Sequence, residues 1–265
     1  MKIASWNVNS LRVRLPQVIG WLEANEPDVI GLQETKVPDE DFPFEAFSAL
    51  GYTSVFSGQK TYNGVALLSR RALTDPLTDP LNLQDPQRRI LCATAGPIRI
   101  VNLYVPNGSE VGSDKYGYKL DWLDKITAFL KLELAAWPRL VVLGDFNIAP
   151  EDRDVHDPDA WRDKILCSNA ERDAFRGLLA LPLHDAFRRF EQAEASFSWW
   201  DYRAAGFRRN LGLRIDHILV SEALVQELSA CGIDVAPRRL ERPSDHAPVW
   251  AEFQEITGFE PKAEG

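Results

Sequence analysis

RLVVLGDFNIAP, residues 139–150, holds a short apolar run from Leu140 to Leu143 that stops at Gly144 and delivers Asp145 and Asn147 directly after it. An apolar run of this length, bounded by a glycine, reads as a buried strand. Polar residues at the end of such a strand are where catalytic groups usually sit. Side chains alternate along a strand with period two, so Asp145 and Asn147 are expected on one side with a shared target. Taken alone, GDFN reads equally well as a tight turn.

Working outward, Ile98 to Val105 and Ile90 to Ala95 read as strands. Between residues 105 and 139, Leu120, Leu123, Ile126 and Leu130 mark an amphipathic helix closed by Pro138. Nearer the N-terminus, Lys2 to Val8 alternates like a strand. Leu15, Val18, Ile19 and Leu22 then share a helical face that ends near Pro27, and Val29 to Gln33 and Val65 to Ser69 are further strands. Ser168 with Glu171 forms a capping box for a helix reaching Leu181, and Ile215 to Val220 and Pro248 to Phe253 are late strands. Strands outnumber helices, and several connections are too short for a crossover helix. This predicts an α/β chain with mixed sheets and outer helices rather than a parallel barrel.

A chain of 265 residues with 45% hydrophobic content is one large domain or two small ones. With no Gly-, Ser- or Pro-rich linker and no internal repeat, one domain is the simpler reading. Cys92, Cys167 and Cys231 are odd in number and far apart, which fits a reducing compartment. The N-terminus lacks the features of a secretory signal, and no apolar run approaches the roughly 18 residues that span a bilayer. The expectation is a soluble cytoplasmic protein that does not bind membranes. The net charge of −9 argues against nucleic-acid binding by bulk electrostatics. Arginines nevertheless gather at Arg12 and Arg14, Arg70 and Arg71, Arg88 and Arg89, and from Arg203 to Arg214, so a positive face can coexist with an acidic back.

Four polar clusters punctuate strand ends: Asn7 with Asn9, Gln33-Glu34-Thr35, Gly144-Asp145-Phe146-Asn147, and Ser244-Asp245-His246. They offer oxygen and imidazole donors and no thiolate, a set suited to Mg²⁺ or Mn²⁺. Asp145 can orient a water or take its proton, and the neutral Asn147 amide can donate to a phosphoryl oxygen without repelling it. His246 suits phosphate chemistry if a carboxylate holds its other nitrogen, and Asp216 is the natural partner.

SWNVNSLR, PDVIGLQETK, NGVALLS, NLYVPNG, LGDFNIAP, FSWWDYR, GLRIDHILVS and PSDHAPVWAEF together resemble, in order, the signature set of exonuclease III and its abasic-site endonuclease relatives. The resemblance runs from Lys2 to Phe253. It implies a four-layer α/β sandwich, two packed mixed β-sheets flanked by helices, in a single domain 1–253, with 254–265 left as a mobile polar tail. It also implies a DNA-repair nuclease that incises duplex DNA 5′ to abasic sites, or trims 3′ ends as a 3′ to 5′ exonuclease, as a monomer with Mg²⁺ as cofactor and Mn²⁺ as a substitute. By the same resemblance Glu34 is the principal metal ligand, with Asn7, Asp145, Asn147 and Asp245 completing the set. Asp145 activates water, Asn147 holds the transition state, His246 paired with Asp216 binds the scissile phosphate, and Tyr104 places its hydroxyl beside the phosphate or leaving group. Phe197, Trp199, Trp200, Asn210 and Leu213 are expected to flank an extrahelical abasic sugar, set among Arg203, Arg208, Arg209 and Arg214. Arg89 and Asn107 are expected on the DNA backbone.

Two details depart from the bacterial pattern: Asn107 stands where bacterial exonuclease III commonly has Gln, and His217 where the relatives carry an apolar or aromatic residue. Both leave open the balance between exonuclease and abasic endonuclease. Two other readings stand beside this one, a superfamily phosphodiesterase or phosphatase acting on a small or lipid substrate, and a DNA-damage binding protein without catalysis.

Overall fold

The computed structural model describes residues 1–265 except 79, 81–84, 255 and 257–265. Along the first half of the chain run β1 (Lys2–Asn7), α1 (Leu11–Asn25), β2 (Val29–Gln33), α2 (Phe44–Ser48), β3 (Thr53–Ser57), β4 (Val65–Ser69), β5 (Leu73–Leu77), β6 (Ile90–Ala95) and β7 (Ile98–Tyr104). Then come α3 (Asp114–Ala136), β8 (Leu140–Asp145), α4 (Pro158–Trp161), α5 (Asn169–Ala180) and β9 (Leu183–Asp185). The last third holds β10 (Trp199–Trp200), β11 (Gly212–Leu213), β12 (Asp216–Ser221), α6 (Glu222–Val225), β13 (Leu228–Ile233) and β14 (Val249–Phe253). Two six-stranded sheets result, ordered β13-β14-β1-β2-β4-β3 and β5-β6-β7-β8-β12-β9.

Both sheets are mixed, and in the same way. Each has one central parallel pair, β1 with β2 and β7 with β8, while the remaining neighbours run antiparallel. The connections inside those pairs are α1 and α3, because a parallel pair needs a crossover long enough to return the chain to the same end. The two sheets pack face to face, as the expected sandwich requires.

Alternation along β8 sorts its apolar run between two cores. Val141 and Leu143 join the layer between the sheets with Ile3, Val29, Val65 and Ile218, whereas Leu140 and Val142 face Trp122, Ile126, Leu130 and Phe175 of the outer helices α3 and α5. On the opposite outer side, Trp6, Ile30 and Leu32 pack under Val18, Trp21 and Leu22 of α1. A strand buried on both faces has no polar alternation, which is why LVVL reads as a plain apolar run. Each large side chain fully buried this way contributes roughly 1.5–3 kcal/mol.

The capping box at the start of α5 is present, with Ser168 and Glu171 bonded reciprocally. Helix α3 begins six residues before its first expected apolar position, because the Ser113 hydroxyl caps it by accepting from Tyr116 N at 3.2 Å. Of the segment 254–265 expected to be a tail, Gln254 N still bonds Glu227 O and Ile256 is buried against the inter-sheet core; the remainder lies outside the described residues. Among the described residues no helix is long and apolar enough to cross a membrane.

Candidate active site

The sheets bring their catalytic-type residues together at one end. On β8, Asp145 is in register with Tyr104 of β7 on one side and Asp216 of β12 on the other. From the facing sheet, Asn7 ends β1 and Glu34 follows β2. The backbone of β8 can make this approach only because residue 144 is glycine. Its φ is +148°, and a Cβ there would lie 1.9 Å from Leu103 O.

Asp145 and Asn147 share a target, but not through strand alternation. The strand ends at Asp145, and Asn147 turns back with φ 49°, its backbone N donating to Asp145 Oδ1 at 2.9 Å and its amide Nδ2 to Asp145 Oδ2 at 3.3 Å. The tight-turn reading and the catalytic reading of GDFN are therefore the same structure. Asn147 Nδ2 also donates to Val105 O at 3.0 Å.

Around Asp145 the polar groups converge. Asn7 Nδ2 lies 2.9 Å from both Glu34 Oε1 and Asp145 Oδ2, joining two carboxylates from different sheets through one nitrogen. Lys36 Nζ neutralises the other Glu34 oxygen at 2.9 Å and donates to Asn9 Oδ1 at 2.7 Å. His246 Nδ1 is 2.9 Å from Asp216 Oδ2, as expected, and its Nε2 is 3.7 Å from Asp145 Oδ2. Asn9, Ser10, Glu34, Lys36 and Asn147 all have positive φ, a concentration of left-handed backbone that folded proteins tolerate mainly at functional sites.

Burial and charge set the protonation of these groups. Burial opposes charge on His246, but Asp216 and then Asp145 outweigh it and raise the imidazole to about 10. Burial lifts the Asp145 carboxyl, against the pull of His246. For Glu34 burial also works against ionisation, yet Lys36 and the Asn7 amide prevail and hold it below the usual range. The Tyr104 phenol is pushed up by burial and by the Glu34 and Asp145 carboxylates, so it stays protonated.

Glu34, Asp145 and His246 each place a ligand-type atom within 4.8 Å of the others. The His246 nitrogens face the Asp216 and Asp145 carboxylates, so Glu34 and Asp145, whose oxygens keep further lone pairs beside the N–H donors they accept, are the pair suited to take a cation. Two carboxylates sharing one amide nitrogen, with no sulfur nearby, fit a hard divalent ion. Asp245 stands apart from this trio, its Oδ1 accepting from Asn9 Nδ2 at 2.9 Å and its Oδ2 from Trp199 Nε1 at 3.0 Å. Gln33, read with the ligand clusters, instead points between the sheets, donating to Asn102 Oδ1 at 2.7 Å and Ser5 Oγ at 3.0 Å.

The expected DNA-contacting residues divide. Arg89 stacks its guanidinium over the Tyr104 ring at 4.7 Å, and Asn107 Nδ2 donates to Asn147 Oδ1 at 3.2 Å, so both adjoin the centre. Trp199 is half-buried beside His246, with which it forms an isolated bridge, and Arg208 and Asn210 are exposed. Trp200 and Leu213 are in the interior instead. Trp200 packs on Phe207 under Arg238 with its Nε1 on Asn210 Oδ1, and Leu213 joins Val155, Leu166 and Ile215. Adjacent strand residues face opposite ways, so only one tryptophan of the pair can reach the cleft.

Arg214, placed by sequence among the phosphate-neutralising arginines, is fully buried. It donates to Asp154 at 2.6 Å, Asp185 at 2.8 Å and His217 Nδ1 at 3.0 Å, and His217 Nε2 in turn donates to Ile148 O at 2.9 Å, behind the GDFN turn.

Sequence reasoning missed Ser198. Its hydroxyl donates to Asp216 Oδ2 at 2.6 Å while accepting from Ile215 N and Asp216 N, fixing the carboxylate that holds His246. The only trace was its place in FSWW, where the tryptophans drew the reading. Lys36 was likewise in view in QETK without a role.

The Endonuclease/Exonuclease/phosphatase family matches residues 4–246. Exodeoxyribonuclease III of Haemophilus influenzae is 40% identical, the alignment covering 96% of this chain and 100% of that protein. Among solved structures, the 3′ phosphatase NExo from Neisseria bound to product DNA hairpin is 49% identical with a TM-score of 0.94, covering 96% of this chain and 100% of the other. An AP endonuclease from Archaeoglobus fulgidus is 38% identical with a TM-score of 0.92, covering 96% and 99%.

Proposed function

Because this chain belongs to the endonuclease/exonuclease/phosphatase family, we propose that it is a DNA-repair nuclease that hydrolyses phosphodiester bonds, incising duplex DNA 5′ to abasic sites and removing nucleotides or blocking groups from 3′ ends. The observation that carries this reading is the single line of contact from Asp216 through His246 to Asp145 and on through Asn7 to Glu34. It puts a cationic donor, His246, on one side of Asp145 and the metal-type carboxylate of Glu34 on the other, with Asp145 between them able to act as base.

Hydrolysis of a phosphodiester asks mainly for alignment and charge neutralisation. Asp145, its Oδ1 fixed by Asn147 N and its Oδ2 by the Asn7 amide, orients the attacking water and takes its proton. His246, charged and held by Asp216, whose carboxylate Ser198 fixes, donates from Nε2 to a non-bridging oxygen of the scissile phosphate. Asn147 adds a neutral donor beside it, the N–H that spans 3.3 Å to Asp145 Oδ2 turning to the phosphate oxygen as charge builds there. Tyr104, protonated and steadied by Arg89, offers its hydroxyl to the leaving oxygen. Mg²⁺, for which Mn²⁺ can substitute, would be held by Glu34 and Asp145 with the Asn7 and Asn147 amides beside them and Asp245 farther out, supplying charge neutralisation at the phosphate.

Duplex DNA as substrate is supported by the relatives' names and by the product DNA hairpin bound to the Neisseria enzyme. On the chain itself, Trp199 lies half-buried beside His246. The test uses three substrates: a duplex with one abasic analogue, a matched undamaged duplex with a recessed 3′ end, and the same duplex ending in a 3′ phosphate. Each is incubated with Mg²⁺ and with EDTA. Incision immediately 5′ to the lesion, stepwise 3′ shortening and phosphate release report the three activities, all abolished by chelation. No chelator-sensitive reaction on any of them would overturn the reading.

A further inference from the structure

Lys119 is fully buried in α3 and takes no part in the chemistry above, yet its ammonium is wholly committed. It donates to Asn107 O at 3.1 Å, to Asn147 O at 2.6 Å and to the carboxylate of Glu171. The first two acceptors are backbone carbonyls of two different turns, the one after β7 and the one after β8, whose side-chain amides also touch at 3.2 Å. The loop after β7 lies directly on the lysine stem. Gly108 there has φ +90°, and a Cβ would sit 3.1 Å from Lys119 Cδ.

The third partner is itself immobilised. Glu171, buried to the same degree, accepts from Leu166 N at 3.0 Å, Ser168 N at 3.1 Å and the Ser168 hydroxyl at 2.6 Å, so the capping box of α5 fixes its carboxylate. Burial drives the Lys119 ammonium toward its neutral form, and Glu171 opposes that. A buried ion pair is a poor way merely to hold two helices together, since well-packed apolar residues often do as well or better. What an ammonium adds is directed N–H donors converging on carbonyls from separate loops, which no methylene supplies.

We propose that Lys119 is a positioning residue that locks the Asn107 turn to the Asn147 turn, holding a substrate-backbone contact and a transition-state amide at one fixed separation. The inference rests on the nuclease reading for the meaning of those two turns.

Two variants test it. Lys119→Met combined with Glu171→Gln removes both charges, so no unpaired buried ion remains. Lys119→Arg keeps the charge but spreads its donors over a planar fork that cannot converge on the same three acceptors. Turnover on the abasic duplex is measured per folded molecule, the folded fraction being taken from circular dichroism. Hydrogen exchange of segments 105–109 and 146–149 reads the positioning independently of any substrate.

The expected result is faster exchange in both segments and a kcat lower by roughly 10- to 100-fold, the size of effect a misplacement of about 1 Å can produce. Asn107→Ala, expected to slow the wild-type chain, should add less than about twofold in either variant, because the turn it anchors is already displaced. Unchanged exchange, or wild-type kcat per folded molecule, or full additivity with Asn107→Ala overturns the proposal. Should the double variant not fold, Lys119→Arg decides by the same criteria. A wild-type chain that leaves all three DNA substrates uncut defeats the nuclease reading instead, and the exchange measurement still judges Lys119.

Discussion

At the catalytic end of the cleft Asp145, Asp216 and His246 are 1%, 2% and 4% exposed, and each is bonded to at least one of the others or to Ser198 or Asn7. On the aromatic flank Arg208 and Asn210 stand in solvent above a buried Trp200 and Leu213, and Trp199 alone of the named aromatic pair reaches the cleft. The catalytic groups ride on or just beyond interior strands of two sheets whose register is set by three layers of apolar packing. The flank rides on the two-residue pair β10–β11 and on turns in which Ala204, Ala205 and Asn210 adopt positive φ. On the proposed reading, chemistry is placed by the most constrained part of the molecule, and recognition by a small appendage that can change without disturbing it.

The largest effect that separates the two regions should come from Asp145→Asn or His246→Ala. Each removes a group without a substitute nearby, and turnover on an abasic duplex should fall by roughly 10²–10⁴-fold. Affinity for the uncut duplex should change far less, since the flank is intact. Single-turnover kinetics beside a filter-binding or anisotropy titration checks both, and near-normal turnover in either variant would falsify the assigned role.

Next in size is a pH effect confined to the catalytic end. Burial, reinforced by the Arg214 charge, lowers His217 from 6.5 to about 4. Between those values the unfolded chain holds a proton that the folded chain does not, so stability is complete above pH 6.5 and declines as pH falls toward 4. The loss over that window is about 3 kcal/mol. Asp145, raised from 3.8 to about 7, contributes with the opposite sign over the same window, so the test is the difference between wild type and His217→Gln in urea unfolding from pH 4 to 7, which should show the His217 slope. A profile identical in both proteins would mean that Arg214, Asp154 and Asp185 hold Ile148 and the catalytic turn without help from the imidazole.

The same contrast explains what the sequence disclosed. The eight interior strands, β1, β2, β4, β6, β7, β8, β12 and β14, are all legible, because burial on both faces leaves a dense apolar run or a clear alternation. The four edge strands are not. β5 is mostly exposed and carries Pro76, which an edge tolerates, β13 contains Gly232 and is only half-buried, β3 is likewise only half-buried, and β9 is three residues long. In the site, Glu34, Asp145, Asp216 and His246 could be named because their types are the ones the chemistry needs. The pairing of Asp145 with Asn147 was reached through strand alternation and is in fact a turn. Arg214 was misplaced because an arginine's sequence neighbours do not reveal that Asp154 and Asp185, 60 and 29 residues away, enclose it. Lys119 and Ser198 act through distant backbone groups, and such contacts leave no local pattern.

On the flank, Trp199 should matter for binding more than for turnover. Trp199→Ala removes a face on which a base or sugar can pack, a contribution of about 1–3 kcal/mol for aromatic stacking in comparable sites. Roughly tenfold weaker binding of the abasic duplex is expected. Trp199→Phe keeps a ring but loses the N–H to Asp245, and should recover most of the affinity. Recovery of none would shift the role of Trp199 from packing against DNA to orienting Asp245, which would join the flank to the metal site and erase the division drawn here.

The smallest effect, and the sharpest for the comparison, belongs to Arg208. It is exposed in the turn that precedes β11, with no carboxylate partner among the ion pairs of the described residues, and so is available to a phosphate. Arg208→Ala should leave kcat unchanged, weaken duplex binding a few-fold at low salt, and reduce the slope of log affinity against log salt by about one. Arg214→Lys offers the opposite control. Enclosed by Asp154 and Asp185, Arg214 should change thermal stability and not the salt slope. If Arg208 leaves the slope untouched, the chain's net charge of −9 is offset elsewhere. The arginines nearest the centre, with Arg89 over Tyr104, would then have to supply recognition from inside the catalytic end.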